Sequence, residues 1–194
     1  MDSASIKKQS ITFTTIDLIN EFGIQGVSTR EVAKRQGISH GAVFQYFPKK
    51  NDLLLSVIEY FSLFDHDLFH STRIRNMKSK EAIIYYIENY MIYYESYPAI
   101  TAVYQMYDVL QNDTELGDKV KNVYNTRLDF MTKLIEAAQK EGSIRNTEGC
   151  TALPVILTSY IRGICLKWRI EGYGFQLRKT AMQAINMILD AFSL

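Results

Sequence analysis

Cysteine, long uncharged runs and an excess of charge of either sign are all scarce in this sequence. Its 194 residues include only Cys150 and Cys165, which are too few and too close together to cross-link a fold of this size, so a reducing cytoplasm is the expected location. No apolar run follows the charged N-terminus, so no signal peptide is expected, and no uncharged stretch approaches the length of a membrane span. The formal net charge of +1 does not by itself indicate a nucleic acid as partner.

Motifs of catalysis and metal binding are also missing, since there is no phosphate-binding loop, paired zinc motif or catalytic cysteine–histidine arrangement. Residues 37–41, GISHG, match the G-x-S-x-G nucleophile elbow, but that motif requires a preceding strand and the residues before it have a helical pattern. His66 and His70 share one helical face, yet no third zinc ligand is evident, so surface histidines are expected. We therefore expect no enzyme, no metal and no cofactor.

Apolar residues recur at helical spacing along the chain, and no stretch has the alternation of a half-buried strand. The hydrophobic fraction of 47% is sufficient for a core, and no linker, repeat or low-complexity segment interrupts the series. We predict an all-α protein. The first 50 residues contain seven basic and four acidic side chains, a net charge of +3, which leaves −2 for the remainder. A positive N-terminal segment on a slightly negative body suits a protein that presents one face to phosphates.

Residues 29–47, TREVAKRQGISHGAVFQYF, have the pattern of two short helices joined by a tight turn. Ala33 is small at the point where the helices would cross, and Gly37 suits the positive φ angle that ends the first helix. Apolar side chains for the angle between the helices are present at Val32, Ile38 and Val43. The spacing predicts a helix-turn-helix.

Each of these two helices is preceded by a candidate capping residue. Ser28–Glu31 has the pattern of a capping box, in which the serine hydroxyl accepts from the N–H three residues later. Ser39 is placed to cap the second helix, which is predicted to run from about His40 to Phe47 and to read DNA. Residues 1–9 are expected to be a mobile arm, whose two lysines either follow the DNA backbone or are ordinary solvated side chains.

Residues 16–54, IDLINEFGIQGVSTREVAKRQGISHGAVFQYFPKKNDLL, resemble the N-terminal domain of the TetR family of bacterial transcriptional regulators. The resemblance is close over about the first quarter of the chain, and the length and helical pattern of the rest agree with the family. Gln36 departs from the family pattern, in which a small apolar residue is usual, so its amide must reach solvent or a hydrogen-bond partner. Phe44 stands where tyrosine is common. The resemblance implies a DNA-binding domain at residues 1–50 and a ligand-binding and dimerisation domain at residues 51–194.

The resemblance also implies which side chains meet double-stranded DNA. Gln45 can pair bidentately with adenine, and His40 can donate to a guanine acceptor. A symmetric dimer on a palindromic site would place its reading helices about 34–36 Å apart. The implied contacts with bases or phosphates are Thr29, Arg30, Ser39, His40, Gly41, Ala42, Phe44, Gln45, Tyr46, Lys49 and Lys50.

Residues 79–97, SKEAIIYYIENYMIYYESY, predict a helix that is apolar around most of its circumference and must therefore be surrounded by other helices. Its buried tyrosines need partners for their hydroxyls, which a cavity with ligand or water would supply; alternatively the rings are buried and the hydroxyls reach solvent. Carboxylates at Glu88, Glu95 or Asp108 would favour a cationic ligand. The candidate ligand-binding residues are Phe61, Tyr86, Tyr90, Tyr93, Tyr94, Tyr97, Tyr104, Met106, Tyr107, Cys165 and Trp168.

In the family, the last two helices pair with their copies in a four-helix dimer interface, and the resemblance implies the same arrangement here. Gly163 has no turn to form, so close approach of another helix is expected there. The candidate interface residues are Leu157, Ile161, Ile164, Ile185, Leu189 and Phe192.

These observations lead to one principal hypothesis about function. The protein is expected to be a cytoplasmic, ligand-responsive transcriptional regulator that binds a palindromic operator as a homodimer. As a repressor, it would be released by a small apolar or aromatic molecule. Regulation in the opposite sense, with ligand strengthening DNA binding, is allowed by the same scheme. The alternative is a helical small-molecule sensor without sequence-specific DNA binding. Neither hypothesis requires a membrane.

Overall fold

The chain folds into α-helices joined by short turns, in a computed structural model that describes residues 3–74, 77–146 and 148–193. These residues contain no strand, which confirms the all-α prediction. Short 3-10 helices are present at Ile24–Gly26, Pro98–Ala102 and Glu148–Ala152. The α-helices are α1 (Ser3–Phe22), α2 (Thr29–Gln36), α3 (His40–Phe44), α4 (Lys50–Ile74), α5 (Ser79–Ser96), α6 (Val103–Leu110), α7 (Gly117–Lys140), α8 (Leu153–Ile170) and α9 (Leu177–Ala191).

The N-terminal end of α1 differs from its prediction. The helix begins at Ser3, so the expected mobile arm is wrong for residues 3–9. Residues 3–10 are all exposed and contain no glycine or proline. A helix already nucleated by the buried residues from Ile11 onward extends through such a stretch at little cost, because each added residue forms one more backbone hydrogen bond. Lys7 and Lys8 therefore lie on an exposed helix.

Two further helix ends differ from the predicted positions. α3 ends at Phe44 instead of Phe47, although the Phe47 amide still donates to the carbonyl four residues earlier at 2.9 Å. The sequence pattern predicts that the next long helix begins at Asp113 or Thr114, but α7 begins at Gly117, after a turn that the pattern did not reveal. The Asp113 carboxylate accepts hydrogen bonds from the amides two and three residues later, at 2.9 and 3.0 Å, and thereby closes that turn.

The chain divides into two compact units that do not follow its order. The first unit spans Met1–Phe64 and Tyr97–Val123, and the second spans Asp65–Ser96 and Tyr124–Leu194. α4 and α7 each contribute residues to both units. The predicted functional division at residue 50 stays a prediction, because this grouping reflects packing alone.

In the first unit, α1 packs against α2 and against Pro98–Ala102. The Tyr97 hydroxyl donates to the Asp17 carboxylate at 3.2 Å. Phe13 lies edge-on to the rings of Tyr60 and Tyr97, with centroids 5.0 and 6.0 Å apart. Burial and then the neighbouring Asp17 raise the pKa of Tyr97 far above its ordinary value, so the phenol stays protonated and keeps donating. The core of this unit includes Ile11, Ile16, Leu18, Val32, Val43, Leu53 and Val57.

In the second unit, α5 packs against α9, and α9 packs against α8. Glu81, Ile92 and Glu95 are exposed and Glu88 is half-buried, so α5 has the one narrow solvent-exposed stripe that the heptad spacing of its glutamates predicts. Its glutamates hold one edge in solvent: the Arg178 side chain donates to the Glu88 carboxylate at 2.6 Å, and the Arg178 amide donates to Glu95 at 3.1 Å. The buried face of α5 consists of Ala82, Ile83, Tyr86, Ile87, Tyr90, Met91 and Tyr94.

A buried ion pair lies inside this second unit. The Arg127 Nε donates to both carboxylate oxygens of Asp65, at 3.0 and 2.8 Å, and the two side chains are only 8% and 5% exposed. The guanidinium carbon is 5.4 Å from the centroid of the Tyr90 ring, a cation–π geometry. Burial raises the pKa of Asp65, and the charge of Arg127 opposes that shift. Each of these two buried side chains therefore needs the opposite charge of the other to stay charged in the core.

Replacement of Arg127 by methionine tests this dependence. Arg127→Met should lower the free energy of unfolding by about 3–5 kcal/mol, because it leaves the Asp65 carboxylate buried without its counter-charge. The double variant Asp65→Leu/Arg127→Met should recover most of that loss. Lys133→Met, at an exposed position of the same helix, is the matched control and should change the value by less than about 0.5 kcal/mol. Urea unfolding followed by circular dichroism measures all three, and equal effects of Arg127→Met and Lys133→Met would contradict the assignment.

Candidate nucleic-acid interface

The turn between α2 and α3 is fixed by its backbone. Gly37 has φ 65° and ψ 29°, the left-handed conformation predicted for it, and its amide donates to the Lys34 carbonyl at 3.2 Å. The Ile38 amide then donates to the Ala33 carbonyl at 3.1 Å. Ala33 and Val43 are buried where the two helices meet. The helix-turn-helix predicted from the sequence is thus present in the structure.

Both predicted capping residues are confirmed. The Ser28 hydroxyl accepts from the Glu31 amide at 3.1 Å, and the Ser39 hydroxyl accepts from the Ala42 amide at 3.2 Å. Ser39 follows a helix and starts a helix, so it has the geometry of a cap and not that of a strand-borne nucleophile. Gln36 also finds the partners it was expected to need, because its amide nitrogen donates to the hydroxyls of Ser10 and Thr14, each at 2.9 Å.

The outward surface of α2 and α3 carries the side chains predicted to meet DNA. Phe44 is 52% exposed, which is a large apolar area for the solvent side of a helix. His40 lies at the start of α3, where its Nε2 is 2.9 Å from the Thr29 hydroxyl and its ring centroid is 6.1 Å from that of Phe44. The exposed members of the predicted set are Arg30, Ser39, His40, Gly41, Phe44, Gln45 and Lys49, and the half-buried members are Thr29, Ala42, Tyr46 and Lys50.

Gly41 differs from Gly37 because the fold does not require it. A Cβ atom built at Gly41 would meet only the Ser39 hydroxyl, at 3.9 Å, and the residue does not have a positive φ. An alanine would therefore fit there and would favour the helix. The absence of a side chain instead leaves a flat surface at the exposed start of α3, which suits close approach of a binding partner.

The basic side chains near this surface differ in how far they are neutralised. The Lys49 ammonium is 3.7 Å from the Glu115 carboxylate, which also accepts from the Asn51 side chain at 2.7 Å. Within the described part of the chain, Arg30 and Lys50 have no ion-pair partner, and burial lowers the pKa of Lys50. Arg35 hydrogen-bonds and pairs with Glu21, which raises its pKa. Arg30 is therefore the exposed cation near α3 that is available to a phosphate or base.

The predicted ligand-binding residues are distributed over both compact units. In the first unit the rings of Phe61, Tyr104 and Tyr107 contact one another, with centroids 5.3 to 6.5 Å apart, and Met106 is buried. Tyr97 belongs to the same unit and is held by Asp17, as described above. The other predicted residues lie in the second unit: Tyr86, Tyr90, Tyr93, Tyr94, Cys165 and Trp168.

The aromatic cluster of the second unit includes two residues that the sequence did not single out. Phe69 stacks on Phe130 with centroids 4.0 Å apart, and Tyr86 and Tyr90 are edge-on at 4.9 Å. The Arg127 guanidinium lies over Tyr90, as described above. The side chains of this cluster are Phe69, Tyr86, Tyr90, Tyr93, Tyr94, Arg127 and Phe130.

Trp168 and Cys165 have local roles. The Trp168 indole N–H donates to the Phe175 carbonyl at 2.8 Å, and its ring is edge-on to Tyr173 at 4.8 Å, so Trp168 anchors the turn between α8 and α9. Burial raises the pKa of the Cys165 thiol to about 12, which keeps it protonated and unreactive. Among the described residues, no cluster of three or more histidine, cysteine, aspartate or glutamate side chains could hold a metal ion.

The predicted dimer residues require a correction. Five of the six are buried inside this chain and pack α8 and α9 into the core of the second unit, and the sixth is half-buried: Leu157, Ile161, Ile164, Ile185, Leu189 and Phe192. The opposite stripe of α8 is the exposed one, with Leu166 44% and Ile170 76% exposed. A Cβ at Gly163 would have no neighbour within 4 Å, so the expected close approach is not made by the described residues of this chain. Both stripes of α8 are apolar, which is why the sequence did not distinguish them.

This apolar character also makes Cys150–Ile170 long and apolar enough to cross a membrane by length and composition. The same holds for core helices of soluble proteins, and seven α8 side chains are buried in the second unit. The stretch also contains Arg162, Lys167 and Arg169.

Comparison with known proteins identifies relatives of the N-terminal segment and of the whole chain. Residues 11–57 match the family model of the bacterial regulatory proteins, tetR family, which confirms the resemblance inferred from the sequence. The nucleoid occlusion factor SlmA of Glaesserella parasuis is 24% identical over 175 residues, which cover 89% of this chain and 86% of that protein.

Solved structures share the complete fold. A transcriptional regulator from Saccharomonospora viridis in complex with choline has a TM-score of 0.80 and 18% identity, with 96% of each chain covered. FadR from Bacillus subtilis in complex with stearoyl-CoA has a TM-score of 0.77 and 17% identity, with 94% of this chain and 95% of that chain covered. At such identities the likeness establishes the fold alone.

The two glycines of the helix-turn-helix should respond oppositely to alanine. Gly37→Ala should lower the free energy of unfolding by about 1–2 kcal/mol, because it forces a Cβ into the left-handed conformation. Gly41→Ala should raise it by roughly 0.5–1 kcal/mol, because the helical site has room for the methyl group. Urea unfolding of the two variants beside the parent chain checks both signs. A loss of stability in Gly41→Ala would show that the fold does need this glycine.

Proposed function

Because residues 11–57 form a helix-turn-helix domain of the tetR family of bacterial regulatory proteins, and the chain has the fold of that family's regulators, we propose that it is a ligand-responsive transcriptional regulator. It binds a palindromic operator as a homodimer in the cytoplasm and acts as a repressor, without catalysing a reaction. The observation that carries this proposal is the surface of α3. His40, Phe44 and Gln45 are exposed there, while Val43 anchors the helix in the core.

The exposed side chains supply the two kinds of contact that DNA recognition needs. Gln45 reads adenine through two hydrogen bonds in the major groove, and Gly41 lets the helix approach the base edges closely. Thr29, Tyr46 and the cations Arg30 and Lys50 fix the register through phosphates. A single mispaired base costs ~1–3 kcal/mol, so a five-residue helix discriminates weakly by itself. Two copies of the chain bound to a palindrome double the number of base contacts.

The homodimer is supported by the exposed stripe of α8. Ile156, Gly163, Leu166 and Ile170 recur at intervals of three, four and seven residues, which places them on one helical face. Met187 on α9 is exposed as well. A Cβ at Gly163 would meet no atom of the described residues within 4 Å, so this site can admit the backbone of a partner helix closely. Pairing of these faces would remove from water the apolar surface that makes Cys150–Ile170 membrane-like in composition.

The regulating ligand is proposed to be a small apolar or aromatic molecule. Aromatic side chains cluster inside both compact units, and such clusters line many small-molecule sites. Relatives of the same fold were solved with choline and with stearoyl-CoA. The ligand binds better to the dimer conformation in which the two reading helices are misplaced for the operator. By linkage, operator DNA weakens ligand binding by the same factor as the ligand weakens DNA binding.

Selection from a random DNA library by the full chain tests DNA recognition. The parent protein should enrich a palindrome, and Gln45→Ala should lose the preference for adenine at one position of each half-site, by roughly five- to 150-fold, while its unfolding curve is unchanged. Gln25→Ala, at an exposed site in the Ile24–Gly26 helix before the motif, is the matched control. A helical sensor without sequence-specific DNA binding would enrich nothing even at low salt, and an unchanged profile for Gln45→Ala would reject the assigned reading face.

A charge on the exposed α8 stripe tests the dimer. Leu166→Glu should shift the protein from dimer to monomer in sedimentation equilibrium, because the interface would bury an unpaired carboxylate. Leu63→Glu, on an exposed position of α4, is the control and should leave the dimer intact. Removal of α9 would be a poorer test, because Leu177, Ala181 and Ile185 are in the core. A Leu166→Glu variant that remains dimeric would place the interface elsewhere.

A further inference from the structure

We propose that Thr29 and His40 form one hydrogen-bonded reading unit, in which His40 accepts a hydrogen bond from the amino group of cytosine or adenine and does not donate to guanine. This inference rests on the proposed DNA binding. The inference extends that proposal in two ways. It names the class of base that His40, the first residue of α3, recognises, and it assigns Thr29 as the residue that positions His40.

The contact between Thr29 and His40 connects the start of α2 with the start of α3. Thr29 begins α2 and His40 begins α3, and the Thr29 Oγ1 lies 2.9 Å from the His40 Nε2. The His40 ring also contacts Phe44 one turn later, with centroids 6.1 Å apart and an interplanar angle of 52°. His40 is exposed but held on both sides, so its ring has a defined orientation at the surface. Nδ1 is the nitrogen left over, with no hydrogen-bond partner in the described part of the chain.

A neutral imidazole carries one donor and one acceptor nitrogen, so the role of Nε2 decides the role of Nδ1. If Nε2–H donates to the threonine oxygen, Nδ1 has a lone pair and accepts. If the threonine hydroxyl donates to Nε2, Nδ1 carries the proton and donates. The Thr29–His40 contact therefore fixes what His40 can offer to a base, and the direction of this one hydrogen bond determines which bases fit.

A phosphate contact by Thr29 selects between the two directions. Phosphate oxygens accept hydrogen bonds and cannot donate, so a threonine hydroxyl in contact with phosphate must use its only proton there. A hydrogen bond to an ionised acceptor is also stronger than a neutral one, so phosphate outcompetes the imidazole for that proton. The Thr29 oxygen then accepts from the Nε2–H of His40. The chain of hydrogen bonds runs from His40 through Thr29 to the phosphate.

This direction leaves Nδ1 as an acceptor, which the exposed His40 can present to the major groove. In the major groove, cytosine presents the N4 amino group and adenine the N6 amino group, whereas guanine and thymine present only acceptors or a methyl group at the corresponding edge. His40 therefore favours cytosine or adenine, which revises the guanine contact expected from the sequence. Without the Thr29 hydroxyl, His40 is free to adopt the other tautomer, and guanine becomes acceptable.

Parallel DNA selections at about pH 8 test the base preference with the full chain and three variants. His40→Ala should identify the base position that His40 reads, because that position becomes degenerate. The parent protein and Thr29→Ser should prefer cytosine or adenine there by roughly five- to 150-fold, since serine keeps the hydroxyl. Thr29→Val, which has the same shape without the hydroxyl, should lose that preference while other positions of the site are retained.

A second measurement reports the tautomer directly and does not depend on base selection. The chain has three histidines, so ring ¹⁵N signals of labelled protein can be assigned by the loss of one set in His40→Ala, with His66 and His70 as internal references. In the DNA complex, Nε2 of His40 should be protonated and Nδ1 should not, and Thr29→Val should abolish this difference.

The outcomes separate this inference from the proposed function. A parent protein that enriches no sequence overturns both. A palindrome with guanine at the His40 position, or a Thr29→Val variant with an unchanged preference, overturns the reading unit and leaves DNA recognition intact. A protonated Nδ1 in the DNA complex likewise overturns the reading unit and leaves DNA recognition intact. Folding of each variant is confirmed by its unfolding curve, so a loss of preference in Thr29→Val that Thr29→Ser does not share identifies the hydroxyl as the cause.

Discussion

The left-handed backbone conformation of Gly37 is the constraint on which the candidate nucleic-acid interface depends. One residue at φ 65° reverses the chain within a single turn and sends the Ile38 amide back to the Ala33 carbonyl. That geometry decides which side of α3 faces the core. Val43 then enters the angle between the helices, and the opposite side, with His40 and Gln45, faces solvent. A five-residue helix is unstable in isolation, so the orientation of α3 depends on this turn together with the packing of Val43 in the core.

Local chemistry explains which features could be predicted from the sequence. Ser28, Gly37 and Ser39 act through hydrogen bonds or dihedral angles within a few residues, so their roles follow from residue type and spacing. The inner and outer stripes of α8 could not be told apart in this way. Leu157 and Ile161 on one stripe and Leu166 and Ile170 on the other have similar hydrophobicity, and only the tertiary packing of α8, which includes its contact with α9, determines which stripe is buried. The extension of α1 to Ser3 was missed because a polar, exposed stretch gives no periodic signal.

The buried ion pair could have been inferred from the positions of its two charged residues in the sequence, although not from composition alone. Arg127 falls in line with Val120, Val123 and Phe130 at intervals of three and four, and Asp65 falls in line with Phe61 and Leu68 in the same manner. A charge at a core position of each of two helices indicates a pair. The presence of the ion pair also changes the expected charge of the ligand. Arg127 already lies over the Tyr90 ring, where a cationic ligand would bind, and Arg178 engages the carboxylates of Glu88 and Glu95. The argument for a cationic ligand from these carboxylates thus loses its support.

The contact of Glu115 with Lys49 limits how control of DNA binding can work. Glu115 lies in the turn before α7, and it holds both the Lys49 ammonium and the Asn51 amide at the start of α4. A phosphate that binds Lys49 must compete with this carboxylate. An exposed ion pair contributes only ~0–1 kcal/mol, so its loss changes DNA affinity by at most about fivefold. A shift in this turn could therefore adjust affinity but could not release the operator alone. Release by several orders of magnitude needs a cooperative term. The proposed dimer would supply one through the spacing of its two reading helices, because a misplaced second helix would lose all of its base contacts together.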